Sequence, residues 1–294
     1  MWHNLSERMA YLIVLCGGIL WGTTGTAQTF IPETVDPFIV ATMRLAIGGF
    51  ILIIGLLLLG KLNISRWPWR NILIVSVILA FFQFFFFSSV RMTGVAVGTV
   101  VSIGSAPVFS GLMEWVFLKR PPNRQWIIAT AMAIIGSTLL FFNKELVIID
   151  PLGVTFAIIA GFLFASYTFL NKGVLEKVDP IEAVAVVFTI SALILLPFYF
   201  NFSSEGLLTK SGLTAIIYIG LVTTAIGYVL FSTGLKYIPS SAATTLSLAE
   251  PFTAAILSVV VVGEYLNFSA WTGVFLLMTG IIVLTIRPRK RVKV

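Results

Sequence analysis

The stretch VDPFIVATMRLAIGGFILIIGLLLL, residues 35–59, decides the fold class. After Asp36-Pro37 it runs to Leu59 with a single charged residue, Arg44. Proline is tolerated in the first turn of a helix, and about 20 apolar residues rising 1.5 Å each cross a hydrocarbon core of roughly 30 Å. Outward from this stretch the same run and break recurs. Helices are expected near 9–31, 37–59, 72–90, 95–118, 126–142, 152–170, 181–199, 213–233, 242–262 and 268–286, separated by Pro32, Pro68, Pro121-Pro122, Asp150-Pro151, Asp179-Pro180 and Pro239. With 58% hydrophobic and 11% charged residues, the chain needs lipid as its solvent. The reading is an all-α integral membrane protein of ten transmembrane helices.

The first run, from Met9, is too long for a signal peptide and is followed at once by another span, so it counts as the first helix. The one cysteine, Cys16, has no disulfide or thiolate partner, and the one histidine, His3, lies in the terminal tail. Metal sites, haem, iron–sulfur clusters and histidine-dependent triads are therefore not expected, and no cofactor is. The net charge of +7 does not point to nucleic acid, because five basic residues, Arg287, Arg289, Lys290, Arg291 and Lys293, sit in a tail suited to anionic lipid headgroups.

Basic residues near span ends set orientation. With the N-terminus inside, the inner segments carry Arg8, Lys61, Arg66, Arg70, Lys119, Arg120, Arg124, Lys172, Lys177, Lys236 and the five tail residues; the outer segments carry Arg91, Lys144 and Lys210. Fifteen against three places both termini in the cytoplasm and Lys144 outside a bacterial-type inner membrane.

The second half echoes the first. Val35-Asp36-Pro37 recurs as Val178-Asp179-Pro180 and Gly18 as Gly161, both 143 residues on, while Pro107 and Gly136 recur as Pro251 and Gly280, 144 residues on. The expected units are 1–147 and 148–294. Five spans is an odd number, so the second unit is inverted relative to the first, an architecture suited to carriers that rock about a central site.

Leu20-Trp21-Gly22-Thr23, Met43-Arg44-Leu45 and the run from Gly234-Leu235-Lys236-Tyr237-Ile238-Pro239 through Leu248-Ala249-Glu250-Pro251 to Gly263-Glu264 resemble the EamA-type transporters of the drug/metabolite transporter superfamily. The resemblance covers essentially the whole chain and implies a metabolite exporter, often of amino acids or related compounds. The first half departs from the second where Lys119-Arg120 replaces Gly263-Glu264 and Ala106 replaces Glu250.

Charges inside a bilayer cost at least a few kcal/mol and need a reason. Two are deep. Arg44 lies about 10 Å from the outer end of its span and Glu250 about 12 Å from the inner end of its own, at 1.5 Å per residue. Arg44 is expected to bind a carboxylate, and Glu250 to receive an ammonium or a proton, which suits a small zwitterionic metabolite with protons as a candidate coupling ion. The structural alternative is that they hold helices together. Trp21, Thr24 and Gln28, on one helical face, with Gln83, Tyr167, Asn171 and Tyr228, complete the candidate lining. Gln83 interrupts a phenylalanine run, Phe81 to Phe87, that is itself expected to face lipid or neighbouring helices. Glu114 and Glu182, near inner span ends, are expected to reach headgroups and water. Pro107 and Pro251 cannot donate to the carbonyls of Ile103 and Ser247, which marks two symmetry-related breaks.

The leading function is a secondary carrier working by alternating access. No nucleotide-binding Gly-x-x-x-x-Gly-Lys-Ser/Thr motif is present, so ATP is not expected to be used by this chain. A membrane-embedded enzyme would need clustered carboxylates, histidines or an activated nucleophile, and a channel would usually conduct through a charged ring or symmetric oligomer.

Overall fold

The computed structural model describes residues 5–62, 67–141, 150–263 and 265–286. Lys144, Glu264, Arg66, His3 and the basic tail lie outside the described residues. Every regular element among the described residues is helical. In chain order they are α1 (Glu7–Gln28), α2 (Pro37–Leu58), α3 (Trp69–Gly94), α4 (Val97–Leu118), α5 (Arg124–Phe141), α6 (Pro151–Leu175), α7 (Pro180–Tyr199), α8 (Lys210–Leu235), α9 (Ser240–Val261) and α10 (Phe268–Ile286). Nine are long and apolar enough to cross a membrane, and α5 is a shorter apolar helix.

The Asp-Pro pairs are helix starts. Asp36, Asp150 and Asp179 each accept a hydrogen bond from the backbone N–H two residues on, at 2.8, 2.8 and 3.0 Å, with the proline at the first helical position. An N-cap carboxylate satisfies a donor that the helix leaves open, and the proline has none to lose. Between α3 and α4 the chain turns at Gly94, whose φ of +82° is open to glycine and strained for other residues.

The two halves pack as exchanged copies. A Cβ added to Gly18 on α1 would come within 3.1 Å of the Leu246 carbonyl oxygen on α9, and one added to its repeat partner Gly161 on α6 would come within 2.6 Å of the Ser102 carbonyl oxygen on α4. Gly136 on α5 meets Gly273 on α10 at 2.7 Å, and Gly280 on α10 meets Ala129 on α5 at 2.7 Å, by the same measure. Small residues let helix backbones approach in lipid, where no hydrophobic force drives them together. The large side chains on the outer faces of the helices are apolar and exposed, Ile54, Phe117 and Phe275 among them, as a lipid-facing belt requires.

Candidate functional site

The central cavity is narrow, with about 40 Å³ of water-sized space, and is lined by Trp21 and Thr24 of α1, Arg44 of α2, Phe82, Gln83 and Phe86 of α3, Ile103 of α4, Phe164 of α6, Tyr228 of α8 and Glu250 of α9. Both halves contribute to it. The two deep charges therefore meet across the repeat, one from each half.

Their local structures differ. Arg44 projects from an unbroken helix, with its Nε buried and without a hydrogen-bond partner. Glu250 sits beside an interruption in α9, where regular helix stops at Leu246 and resumes at Ala249. Pro251 has no N–H to give the Ser247 carbonyl, and the Glu250 N–H takes that place at 2.9 Å. Pro107, at the matching place, lies inside the continuous α4, so the break expected in both halves forms only beside the acid. Arg44 acts electrostatically on both Glu250 and Tyr228, yet no ion pair within 4.0 Å joins Arg44 to Glu250. Among the described residues the one such pair is Arg91–Asp36, at 3.0 Å near the end of the bundle.

Three donors on the wall have no hydrogen-bond partner: Arg44 Nε, Gln83 Nε2 and Trp21 Nε1. Leaving a buried donor unsatisfied costs about 1–3 kcal/mol, so three of them on one wall can serve a group rich in acceptors, water included. Aromatic rings form the rest. Trp21 lies 4.4 Å from Tyr228 and 4.9 Å from Phe231 between ring centres, and Phe82 lies 5.2 Å from Phe164. Tyr228 follows a π-helical segment, Ile219–Ile226, whose wider turn resets the helical register just before it.

Of the nine residues singled out from sequence as a lining, Trp21, Thr24, Arg44, Gln83, Tyr228 and Glu250 line this cavity. Tyr167 is buried behind the wall, 6.2 Å from Phe164 and 6.4 Å from Tyr228 between ring centres. Asn171 is buried a turn further along α6 with its Oδ1 unpartnered. Gln28 is half-buried in the last turn of α1, one turn past Thr24. The phenylalanine run divides: Phe82 and Phe86, at i and i+4, line the cavity, whereas Phe81 is 51% exposed. The expectation that this run faces only lipid or neighbouring helices is thereby corrected, because the face that carries Gln83 inward carries Phe82 and Phe86 with it. Glu114 and Glu182 bond to protein instead of reaching only headgroups and water: Glu114 Oε2 accepts from the Ser241 hydroxyl at 2.5 Å and Glu182 Oε2 from the Trp67 indole at 2.8 Å.

Burial along α9 is uneven. Toward the end of the bundle where α1 starts, every residue from Ser240 to Ala249 is buried, whereas Phe252 to Ser258, toward the other end, are half-buried.

The sequence profile described as the EamA-like transporter family matches residues 8–142 and 151–286. The chain belongs to the EamA-like transporter family. It is a multi-pass membrane transporter, and the two matched segments correspond to α1–α5 and α6–α10. Among EamA-like relatives, an uncharacterized transporter of Bacillus subtilis, YwfM, is 42% identical over 280 residues, covering 95% of each chain. An uncharacterized inner membrane transporter of Salmonella typhimurium, YicL, is 26% identical over 299 residues, covering 98% of this chain and 99% of its own. One crystal structure superposes with a TM-score of 0.83 at 20% identity, over 95% of this chain and 96% of the other, which shows a shared fold.

Proposed function

We propose that the protein is a secondary carrier, working as an exporter, that moves a small zwitterionic metabolite such as an amino acid or a related compound across a bacterial inner membrane. The observation that carries this reading is the placement of Arg44 and Glu250 on opposite halves of one cavity without a direct ion pair. A cargo carboxylate has the Arg44 fork and the unpartnered donors of Gln83 and Trp21 to bind, and a cargo ammonium has Glu250. The same acid is the candidate carrier of a coupling proton when cargo is absent. The aromatic walls touch one another, so cargo enters when the halves separate, and rocking of inverted repeats supplies that motion.

The test is flux in sealed proteoliposomes loaded with a panel of amino acids and related zwitterions. Saturable flux with counterflow is the expected result. Non-saturating conductance would mean a channel, and chemical conversion without net translocation would mean an enzyme.

A further inference from the structure

A second, narrow cavity, with about 30 Å³ of water-sized space, opens at the end of the bundle where α1 starts; its wall includes Tyr11, Glu114, Arg120, Asn123, Trp126 and Ser241. It repeats the chemistry of the central site, with an acid, an arginine and aromatic rings, at the end that the charge distribution assigns to the cytoplasm. Glu114 on α4 accepts from the Ser241 backbone N–H at 3.3 Å and from its hydroxyl at 2.5 Å, and the Trp126 indole donates to the Ser241 carbonyl at 3.1 Å. One residue at the start of α9 is thus held by α4 and α5, from the opposite half. One helical turn on, Thr130 and Thr245 bond at 2.9 Å and continue the same seam. Arg120 is exposed, and its side chain forms no ion pair within 4.0 Å among the described residues.

We propose that this cavity is a loading site for a zwitterionic cargo, in which Glu114 exchanges its bonds to Ser241 for the cargo's ammonium, Arg120 takes the carboxylate, and the exchange releases the start of α9. The inference rests on the carrier reading above. Its physical basis is competition. Ser241 presents two neutral donors to the carboxylate, whereas an ammonium presents up to three charged ones, and charge-assisted hydrogen bonds are roughly twice as strong. Because the same carboxylate oxygens serve both partners, cargo binds the released arrangement better than the latched one. That difference is what a ligand needs in order to shift a conformational equilibrium. Trp126, which packs on Gly111 and lines the cavity, adds an aromatic ring to the same wall.

The experiment places one cysteine, Ala242→Cys, in a Cys16→Ala background and measures its maleimide labelling rate as a reading of α9 release; Ala242 is buried and lines the cavity. The probes are L-alanine, alaninamide, which lacks the carboxylate, and propionate, which lacks the ammonium. Alanine is expected to speed labelling severalfold and the two analogues far less. Adding Ser241→Ala removes the competing hydroxyl and should lower the half-saturating alanine concentration about tenfold, the equivalent of one charge-assisted hydrogen bond. Adding Glu114→Gln should abolish the response to alanine whatever the basal rate. Labelling indifferent to alanine, a response that survives Glu114→Gln, or a half-saturation unmoved by Ser241→Ala would each overturn the proposal. Failure of the carrier reading looks different: labelling responds to alanine, but no zwitterion crosses the membrane in the proteoliposome assay.

Discussion

The Glu250 N–H donates to the Ser247 carbonyl at 2.9 Å, in the place that a residue with an N–H at 251 would occupy. The deep acid is therefore set by the proline that follows it. Pro251→Ala would offer a competing donor to the same carbonyl and regularise α9, and proline in a helix interior costs about 3 kcal/mol. The variant is expected to insert and to match or exceed the thermal stability of the parent while flux falls severalfold, because Glu250 turns with the straightened helix. Unchanged flux in a stable Pro251→Ala protein would make the break a packing feature only.

Glu250→Gln keeps the shape of the side chain and removes its charge. Loss of a charge-assisted bond of about 1.5–3 kcal/mol corresponds to a fall in flux of about tenfold to a hundredfold. Glu250→Asp, which retains the charge on a shorter stem, should keep more activity. With protons as the coupling ion, transport by the parent should depend on pH and transport by the Gln variant should not. Equal flux in parent and Gln variant, at equal expression, would return Glu250 to a structural role.

Arg44 tests the other end of the cargo. A guanidinium presents a planar fork to a carboxylate, whereas lysine is a point charge on a flexible stem. Arg44→Lys should raise the half-saturating cargo concentration several-fold, and Arg44→Gln should raise it further. If Arg44 served only to neutralise Glu250, the double variant Arg44→Gln with Glu250→Gln would recover flux; the expected result is that it does not.

Orientation is checked with single cysteines in the Cys16→Ala background. Leu59, after α2, and Leu208, before α8, are 68% and 85% exposed. A membrane-impermeant maleimide applied to intact cells should label Leu208→Cys and spare Leu59→Cys. The reverse pattern would invert the charge-based topology.

The spans were legible in the sequence because lipid leaves the backbone few choices, and Asp-Pro pairs write their helix starts in side-chain chemistry. The inward direction of Arg44, Gln83 and Glu250 was legible for the same reason, since polar groups avoid hydrocarbon. Phe82, Phe86 and Phe164 were not, because an apolar ring serves equally well against lipid, against a neighbouring helix or as a cavity wall, and only the packed bundle distinguishes these. The Glu114–Ser241 contact was also hidden. It joins residues 127 positions apart, and the depth of Glu114 alone fits headgroups as well as a partner on α9.

Gly22 and Gly25 lie three residues apart on α1 and give opposite expectations. A Cβ on Gly22 would come within 2.6 Å of the Glu250 carbonyl oxygen and collide with the Thr253 side chain, so α1 can approach the cavity wall only because position 22 has no side chain. A Cβ on Gly25 would meet nothing within 4 Å. Overpacking of this kind typically costs about 1–3 kcal/mol. Gly22→Ala should therefore lower the thermal midpoint and, by displacing the backbone at Glu250, reduce flux more than the loss of folded protein accounts for. Gly25→Ala adds only helix propensity, worth about 0.5–1 kcal/mol, and should leave stability equal or slightly higher with flux unchanged. The pair is measured by thermal unfolding in detergent alongside proteoliposome flux normalised to folded protein. Equal behaviour of the two variants would mean that the close approach of α1 at Gly22 does not hold Glu250 in place.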